Sequence, residues 1–281
     1  MKKKINILLT GFGNVAQVLL KHLRDDPEIN VLPFVLAKMD DWDNLQWDNA
    51  RKNNIGIIYP TDDEHMQSIL TNTKKDIGSF IAIDFTAPVA VIPNSTSYIK
   101  TGIPFLIGTT GGNRTLLEEM IRTSDIPAVV APNMVSQIVM LAGMLKWAGQ
   151  NYDKPLLGWT LKIKESHQAK KKDPSGTGMA FAKLLIEMGA MIDVTDPKQF
   201  DSVRDREGSL KMNVTEEFLD GHGFHTYFLT DPTGTLSINL EHNVLGREAY
   251  GPNVVRCVHF LHQKMLKGET GLFGVDDVIR K

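Results

Sequence analysis

Along the first half of the chain, hydrophobic and polar positions alternate between two patterns. Ile5–Gly11 is a short, mostly apolar run, suited to a strand buried on both faces. Gln17–Arg24 follows with apolar residues at helical spacing. The pair of patterns then recurs. Asn30–Ala37, Phe80–Thr86, Pro104–Thr110 and Pro127–Asn133 read as strands, with helices at Ala90–Thr101 and Arg114–Ser124. Asp41–Gln67 is polar and poorly periodic, and reads as irregular structure with a short helix near His65–Thr71. Such βαβα order predicts a Rossmann-type α/β fold: a doubly wound parallel sheet with helices on both faces.

After a helix at Gln137–Asn151 the pattern changes. Trp159–Glu165, Leu210–Thr215, Phe224–Leu229 and Gly234–Asn243 read as strands, several alternating apolar and polar as in a sheet with one wet face. Met179–Met188 and Gly251–Leu266 read as helices, and a short tail, Gly271–Ile279, closes the chain. This half predicts a second α+β domain with an open mixed sheet.

Composition narrows the functional classes. A chain of 281 residues, 42% hydrophobic and 23% charged, fits a soluble globular protein of one large or two ordinary domains. A net charge of -2 argues against nucleic acid or an anionic membrane as the main partner. No apolar run approaches the roughly 20 residues of a membrane helix. Cys257 is the only cysteine, so no intrachain disulfide is expected, and a reducing compartment is. The lysines and apolar residues at the start imitate a signal peptide, but Gly11, Gly13, Asn14 and Gln17 interrupt the run, so no targeting peptide is expected.

Those glycines have a better assignment. Gly11-x-Gly13-x-x-Ala16, with Asn14 and Val15 inside it, is the dinucleotide fingerprint in its strand–turn–helix setting. Gly11 permits the tight turn, Gly13 lets a pyrophosphate reach the backbone, and Ala16 lets the helix pack close to the strand. The second strand ends at Ala37-Lys38 with Asp40 and Asp41 just beyond. Lys38 could pair with a 2′-phosphate, which favours NADPH over NADH; an ordinary surface lysine is the alternative. Phe85-Thr86, Gly108-Thr109-Thr110 and Pro132-Asn133-Met134 fall at carboxyl ends of strands, where ligands of this architecture bind. They are expected to line the nicotinamide side. A plain turn is the alternative for Gly108–Gly112.

A second constellation lies in Lys164–Ala180, between a strand and a helix. His167 can move a proton near neutral pH. Lys170, Lys171 and Lys172 supply charge, and the amides of Ser175-Gly176-Thr177 sit at a helix N-terminus, which suits an anion. A small carboxylate substrate beside an acid/base pair is the functional reading; solvated lysines and an ordinary helix cap are the bland one. His222/His225 and His259/His262 have metal-like spacing. The first pair falls on opposite faces of a strand, and the second lacks a carboxylate or cysteine close by in sequence, so no metal is expected. His225, flanked by Phe224 and Tyr227, reads as a packed sheet residue.

Together these residues resemble the 4-hydroxy-tetrahydrodipicolinate (dihydrodipicolinate) reductase family of lysine biosynthesis. The resemblance rests on the Gly11–Ala16 turn, Asp84-Phe85-Thr86, Gly108-Thr109-Thr110, Glu165-Ser166-His167-Gln168-Ala169, Lys171-x-Asp173-x-Ser175-Gly176-Thr177 and Gly271-Leu272-Phe273. The Glu-Ser-His-Gln form and Gly221-His222-x-Phe224-His225 are closer to the plant-type branch. The common bacterial pattern has a histidine where this chain has Gln168, and an Ala-Pro pair before the serine where it has only Pro174.

The resemblance implies a dinucleotide-binding domain over residues 1–134, a substrate-binding and oligomerisation domain over 135–244, and a return of 245–281 to the first. It implies NADPH or NADH as cofactor, a small dicarboxylate substrate and a homotetramer. The implied compartment is cytoplasmic, or plastid-like for a plant-type lineage. Hydride would pass to ring carbon C4 of a cyclic unsaturated dicarboxylate. His167 and Lys171 match the catalytic pair; Ser175, Gly176 and Thr177 match the carboxylate-binding turn; Arg247 matches a substrate-side arginine; Gln168 can only hydrogen-bond. A related reductase acting on another cyclic imine or dicarboxylate, or a non-catalytic NAD(P)-binding sensor, are the alternative readings.

Overall fold

The computed structural model describes residues 4–38, 44–171, 174–193, 196 and 199–280. Its chain forms two compact units, Met1–Ser136 with Tyr250–Lys281, and Gln137–Ala249. No described helix is long and apolar enough to cross a membrane.

The first unit is built on strands β1 (Ile5–Thr10), β2 (Ile29–Leu36), β3 (Gly56–Ile58), β4 (Phe80–Asp84), β5 (Phe105–Ile107) and β6 (Pro127–Val130). With the closing strand Gly271–Phe273 they form one sheet, ordered closing strand, β6, β5, β4, β1, β2, β3, and every pairing is parallel. The apolar runs are the cause. Ile7, Leu8, Ile81, Ala82, Ile83 and Leu106 are wholly buried, as central strands covered on both faces require. The helices are α1 (Asn14–Asp25), α2 (Asn44–Lys52), α3 (Asp63–Ile77), α4 (Val91–Thr101) and α5 (Arg114–Arg122). A core of Leu8, Leu36, Leu70, Phe80, Tyr98 and Phe105 fills one side of the sheet.

Asp41–Gln67 differs from expectation. It holds α2, β3 and the start of α3, which runs for 15 residues rather than as the short helix expected near His65–Thr71. Asp62 caps α3 by accepting from the His65 N–H at 2.7 Å, and only Met66 and Leu70 on it are buried. So narrow a buried stripe leaves little periodicity to see. Asp40 and Asp41, weighed for the ribose, lie outside the described residues.

The second unit opens with α6 (Ser136–Asn151), which starts one residue before the boundary. Its strands are β7 (Thr160–His167), β8 (Phe200–Val203), β9 (His222–Thr230) and β10 (Ser237–Leu245), ordered β10, β9, β7, β8. The sheet is mixed: β7 pairs parallel with β8 and antiparallel with β9, and β9 antiparallel with β10. Helix α7 (Gly176–Glu187) makes the crossover that the parallel pair needs. Leu210–Thr215 is not a strand. Asp205 caps the short helix α8 (Arg206–Lys211) by accepting from the Gly208 N–H at 2.7 Å. The missing strand is Phe200–Val203, too short and polar to show alternation. Helix α9 (Gly251–Lys267) belongs to the first unit and buries Val254, Cys257, Val258 and Leu261. Burial pushes the Cys257 thiol up to about 12, which keeps it inert.

Candidate active site

Ser202, Glu165, His225 and His242 form a row across the second sheet, one residue per strand. Directly paired residues share a face, so these four side chains lie together, and His167, two residues along β7 from Glu165, joins them. Helix α7 covers this face: its Phe181 ring stacks on Tyr227 at 5.4 Å. A Cβ on Gly178 of that helix would stand 3.2 Å from both Glu165 Oε2 and His225 Cδ2, so the close approach depends on glycine.

Glu165 is fully buried, and its carboxylate is ringed with donors. The Ser175 N–H donates to Oε2 at 3.0 Å, the Ser202 hydroxyl to Oε1 at 3.3 Å, and the Arg204 guanidinium forms an ion pair with Oε1. Arg204 Nε also donates to the Lys171 carbonyl at 2.8 Å. One guanidinium thus joins the buried carboxylate to the loop that carries Lys171. The loop turns at Gln168, whose carbonyl accepts from the Lys171 N–H at 3.0 Å. Ser175 caps α7, accepting from the Gly178 N–H at 3.4 Å. A Cβ on Gly176 would meet none of the described residues within 4 Å, so the helix end is open on that side among them. Thr177 is half-buried and Lys170 exposed; Lys172 lies outside the described residues.

His167 is the last residue of β7 rather than a loop residue. Its Nδ1 lies 3.1 Å from the His222 carbonyl and its Nε2 lies 3.2 Å from His225 Nε2. Burial pushes His167 down to about 4; the nearby Glu165 charge opposes this, and Arg204 and Lys171 add to it. Burial likewise pushes His225 down to about 2, with His242 and His167 adding. Both rings are therefore neutral at pH 7. The ring of His222 faces the other side of the sheet, where Nε2 lies 2.8 Å from Ser166 Oγ. The expected opposition of His222 and His225 holds, but the backbone of the first and the ring of the second both meet His167. Arg247 donates to the Asp220 carbonyl at 3.3 Å and packs over Gly221, where a Cβ would stand 2.8 Å from Nη1. His167, Lys171, the Ser175–Thr177 turn and Arg247 are thereby gathered at one end of this sheet.

Among the described residues, one group of three metal-capable side chains has ligand atoms within 4.8 Å of one another: Glu165, His167 and His225. Arg204 and the Ser175 amide already balance that carboxylate, which suits proton handling better than a cation. His259 lies 2.9 Å from Asp26 Oδ2, a carboxylate that only the fold brings near.

In the first unit Gly11 has φ +85°, and a Cβ there would stand 2.9 Å from the Phe85 carbonyl oxygen. Gly13 is the N-cap of α1, and a Cβ there would meet nothing within 4 Å. Ala16 is buried beneath the turn, Asn14 is exposed and Val15 half-buried. An open helix end reached by a glycine backbone fits a pyrophosphate. The Phe85 ring lies on Gly108, whose added Cβ would stand 2.1 Å from Cε1, and Thr109 Oγ1 donates to the Thr86 carbonyl at 2.7 Å. Beneath them Asp84 is fully buried and accepts from the Thr86 N–H at 2.9 Å, Asn94 at 2.9 Å and the Tyr98 hydroxyl at 3.0 Å. Thr110, Pro132 and Lys38 are exposed, Asn133 is half-buried, and Met134 is turned into the core.

Sequence reasoning passed over Glu165, Arg204 and the role of His225. One signal was present. Leu161, Ile163 and Glu165 share the buried face of β7, so Glu165 is a charge where the alternation calls for an apolar side chain. Nothing in the sequence pairs it with Arg204, 39 residues away.

Comparison with known proteins gives the chain's family and fold relatives. The family model described as dihydrodipicolinate reductase, N-terminus, matches residues 5–134, and that for the C-terminus matches residues 137–279. The chain is 32% identical over 280 residues to 4-hydroxy-tetrahydrodipicolinate reductase 1, chloroplastic, of Arabidopsis thaliana, covering 99% of this chain and 78% of that protein. It is 38% identical over 226 residues to the probable 4-hydroxy-tetrahydrodipicolinate reductase 1, chloroplastic, of Oryza sativa subsp. japonica, covering 80% of this chain and 65% of that protein. In fold it is similar to the dipicolinate-bound dihydrodipicolinate reductase from Paenisporosarcina sp. TG-14, with a TM-score of 0.66, 16% identity, and coverage of 99% of this chain and 100% of that one. With both halves matched, the chain belongs to the dihydrodipicolinate reductase family of NAD(P)H-dependent oxidoreductases.

Proposed function

We propose that the chain reduces 4-hydroxy-tetrahydrodipicolinate to tetrahydrodipicolinate in the diaminopimelate route to lysine. The observation that carries this reading is the gathering of His167, the Lys171 loop, the open end of α7 and Arg247 at one end of the second sheet. Two carboxylates of a small diacid would be held by the Gly176 and Thr177 amides with the Ser175 and Thr177 hydroxyls, and by Arg247, with Gln168 hydrogen-bonding alongside.

A pyridine nucleotide, when bound, supplies the hydride. Gly11, Gly13, Asn14, Val15 and Ala16 would hold its pyrophosphate, and Phe85, Thr86, Gly108, Thr109, Thr110, Pro132 and Asn133 would stand at its reducing end, with Met134 buried behind them. Lys38 at the end of β2 supports a preference for NADPH over NADH. The C4 hydroxyl leaves as water to give the unsaturated ring, and hydride addition at C4 then leaves electron density on the substrate that a proton must quench. Lys171 stabilises that density or donates the proton, and His167 donates or orients it. Met140, Met144 and Trp147 on α6 and Ile238 and Leu245 on β10 are exposed, which supports assembly, as a homotetramer, through the second unit. The plant-type relatives support a plastid or cytoplasmic setting.

The test supplies the dihydrodipicolinate synthase product with NADPH or NADH and follows nicotinamide absorbance. Rapid oxidation is expected, and His167→Ala and Lys171→Ala are each expected to lower kcat by about 10²–10⁴. Turnover only with other cyclic imines, or cofactor binding with no turnover, would overturn the reading.

A further inference from the structure

We propose that His225 is a positioning residue that holds His167 neutral, its proton on Nδ1 and its Nε2 lone pair engaged, in the protein awaiting substrate. A peptide carbonyl can only accept, so the 3.1 Å contact with the His222 oxygen places a proton on His167 Nδ1. A neutral imidazole has one proton, so His167 Nε2 is bare. It faces His225 Nε2 at 3.2 Å, and the proton between them is therefore the one His225 carries. The fourth nitrogen of the pair, His225 Nδ1, is buried with no hydrogen-bond partner among the described residues.

The pair has no good place for a third proton. The bridge takes one and the His222 carbonyl takes one. A third would have to sit on His225 Nδ1, where it would be a buried donor without an acceptor, at about 1–3 kcal/mol. The charges around the pair do not reverse this. Arg204 and Lys171 oppose added positive charge on both rings. Glu165 favours it, with Oε2 3.8 Å from His225 Nε2, but is already engaged by Arg204 and the Ser175 amide. From β10, His242 lies beside His225 with ring centroids 4.7 Å apart and opposes its charging. On the far face the His222 ring bonds Ser166; on the near face the Tyr227 hydroxyl lies 3.2 Å from His242 Nε2. The direction for His167, down to about 4, agrees with the geometry.

The consequence rests on the proposed function. To turn Nε2 toward a substrate, His167 must release His225, whose N–H can then turn to Glu165 Oε2. His167 would reach the substrate as a neutral acceptor of known tautomer rather than as a stored imidazolium, so of the roles proposed above it orients, and Lys171 donates the proton.

The experiment is NMR of the full ligand-free chain with ¹⁵N-labelled histidine, which reads tautomer and titration without any substrate. Wild-type protein should show His167 as the neutral Nδ1–H form at pH 7. In His225→Phe, which removes the donor but not the burial, the His167 titration should rise. His225→Gln, with an amide N–H in the place of the ring N–H, should keep the wild-type behaviour. In turnover the Phe variant should lower kcat by about 10–100-fold with KM less changed, and move the acid limb of the pH profile upward; the Gln variant should restore both. A proton on His167 Nε2 in the wild type, or an unchanged His167 titration in His225→Phe, would overturn the proposal. The wild-type tautomer decides even where the Phe variant does not fold. Absence of turnover with the NMR result intact would count against the proposed function instead.

Discussion

The guanidinium of Arg204 sits on the fully buried carboxylate of Glu165 and donates through Nε to the Lys171 backbone. An ion pair so placed does two things at once: it compensates a charge that α7 and the sheet enclose, and it fixes the height of the loop bearing Lys171. Removing one partner of a buried pair leaves the other uncompensated, which typically destabilises by about 3–5 kcal/mol. Arg204→Met should lower the unfolding free energy measured in urea by about that amount. Glu165→Gln in the same background should recover part of the loss, because a neutral amide needs no counter-charge. A full, independent loss from each substitution in the double variant would refute the coupling.

Gly11 and Gly13 should respond differently to alanine. At Gly11 the positive φ and the Phe85 carbonyl leave no room, so Gly11→Ala should reduce thermal stability and cofactor affinity together. At Gly13 a Cβ touches nothing in the protein and φ is -73°, so Gly13→Ala should melt like the wild type. Its methyl would instead stand in the pyrophosphate's path, and the cofactor Kd should rise by about tenfold or more, roughly 1.4 kcal/mol. Calorimetric melting and cofactor titration on both variants separate the two effects. Equal affinity in Gly13→Ala and wild type would contradict the placement of the pyrophosphate.

Lys38 is exposed where β2 ends. Lys38→Glu should lower the ratio of kcat/KM for NADPH over NADH by about tenfold, the scale of one lost charge contact on a phosphate. An unchanged ratio would show that Lys38 does not meet the ribose.

Acid should weaken the protein before its carboxylates titrate. His167 and His242 are held down to about 4 and His225 to about 2, each chiefly by burial. In the unfolded chain each would titrate near about 6.5. Below that pH the unfolded chain binds protons that the native chain refuses. The histidines' contribution is therefore complete above about 6.5 and is lost as pH falls toward the folded values. Urea midpoints should drop between pH 7 and pH 5, and the drop should be smaller in His242→Asn. A flat midpoint over that range would be inconsistent with buried neutral rings.

The sequence by itself determined most of the first unit's architecture, because the central parallel strands write continuous apolar runs and the well-buried helices periodic ones; α2, β3 and α3 bury too little to do so. It determined the Gly11–Ala16 turn for the same local reason: one backbone conformation, and one close approach, exclude other residues there. It also placed His167, Lys171 and Ser175–Thr177 within eleven residues of chain. Tertiary structure alone decided what surrounds them. Arg204 reaches Glu165 through the parallel pairing of β8 with β7, and His225 reaches His167 through the antiparallel register of β9. Register is set by the summed packing of two faces and a covering helix, so no local pattern announces it. The protonation state of His167 belongs with those contacts, since burial and partner geometry set it, and neither exists until the sheet has formed.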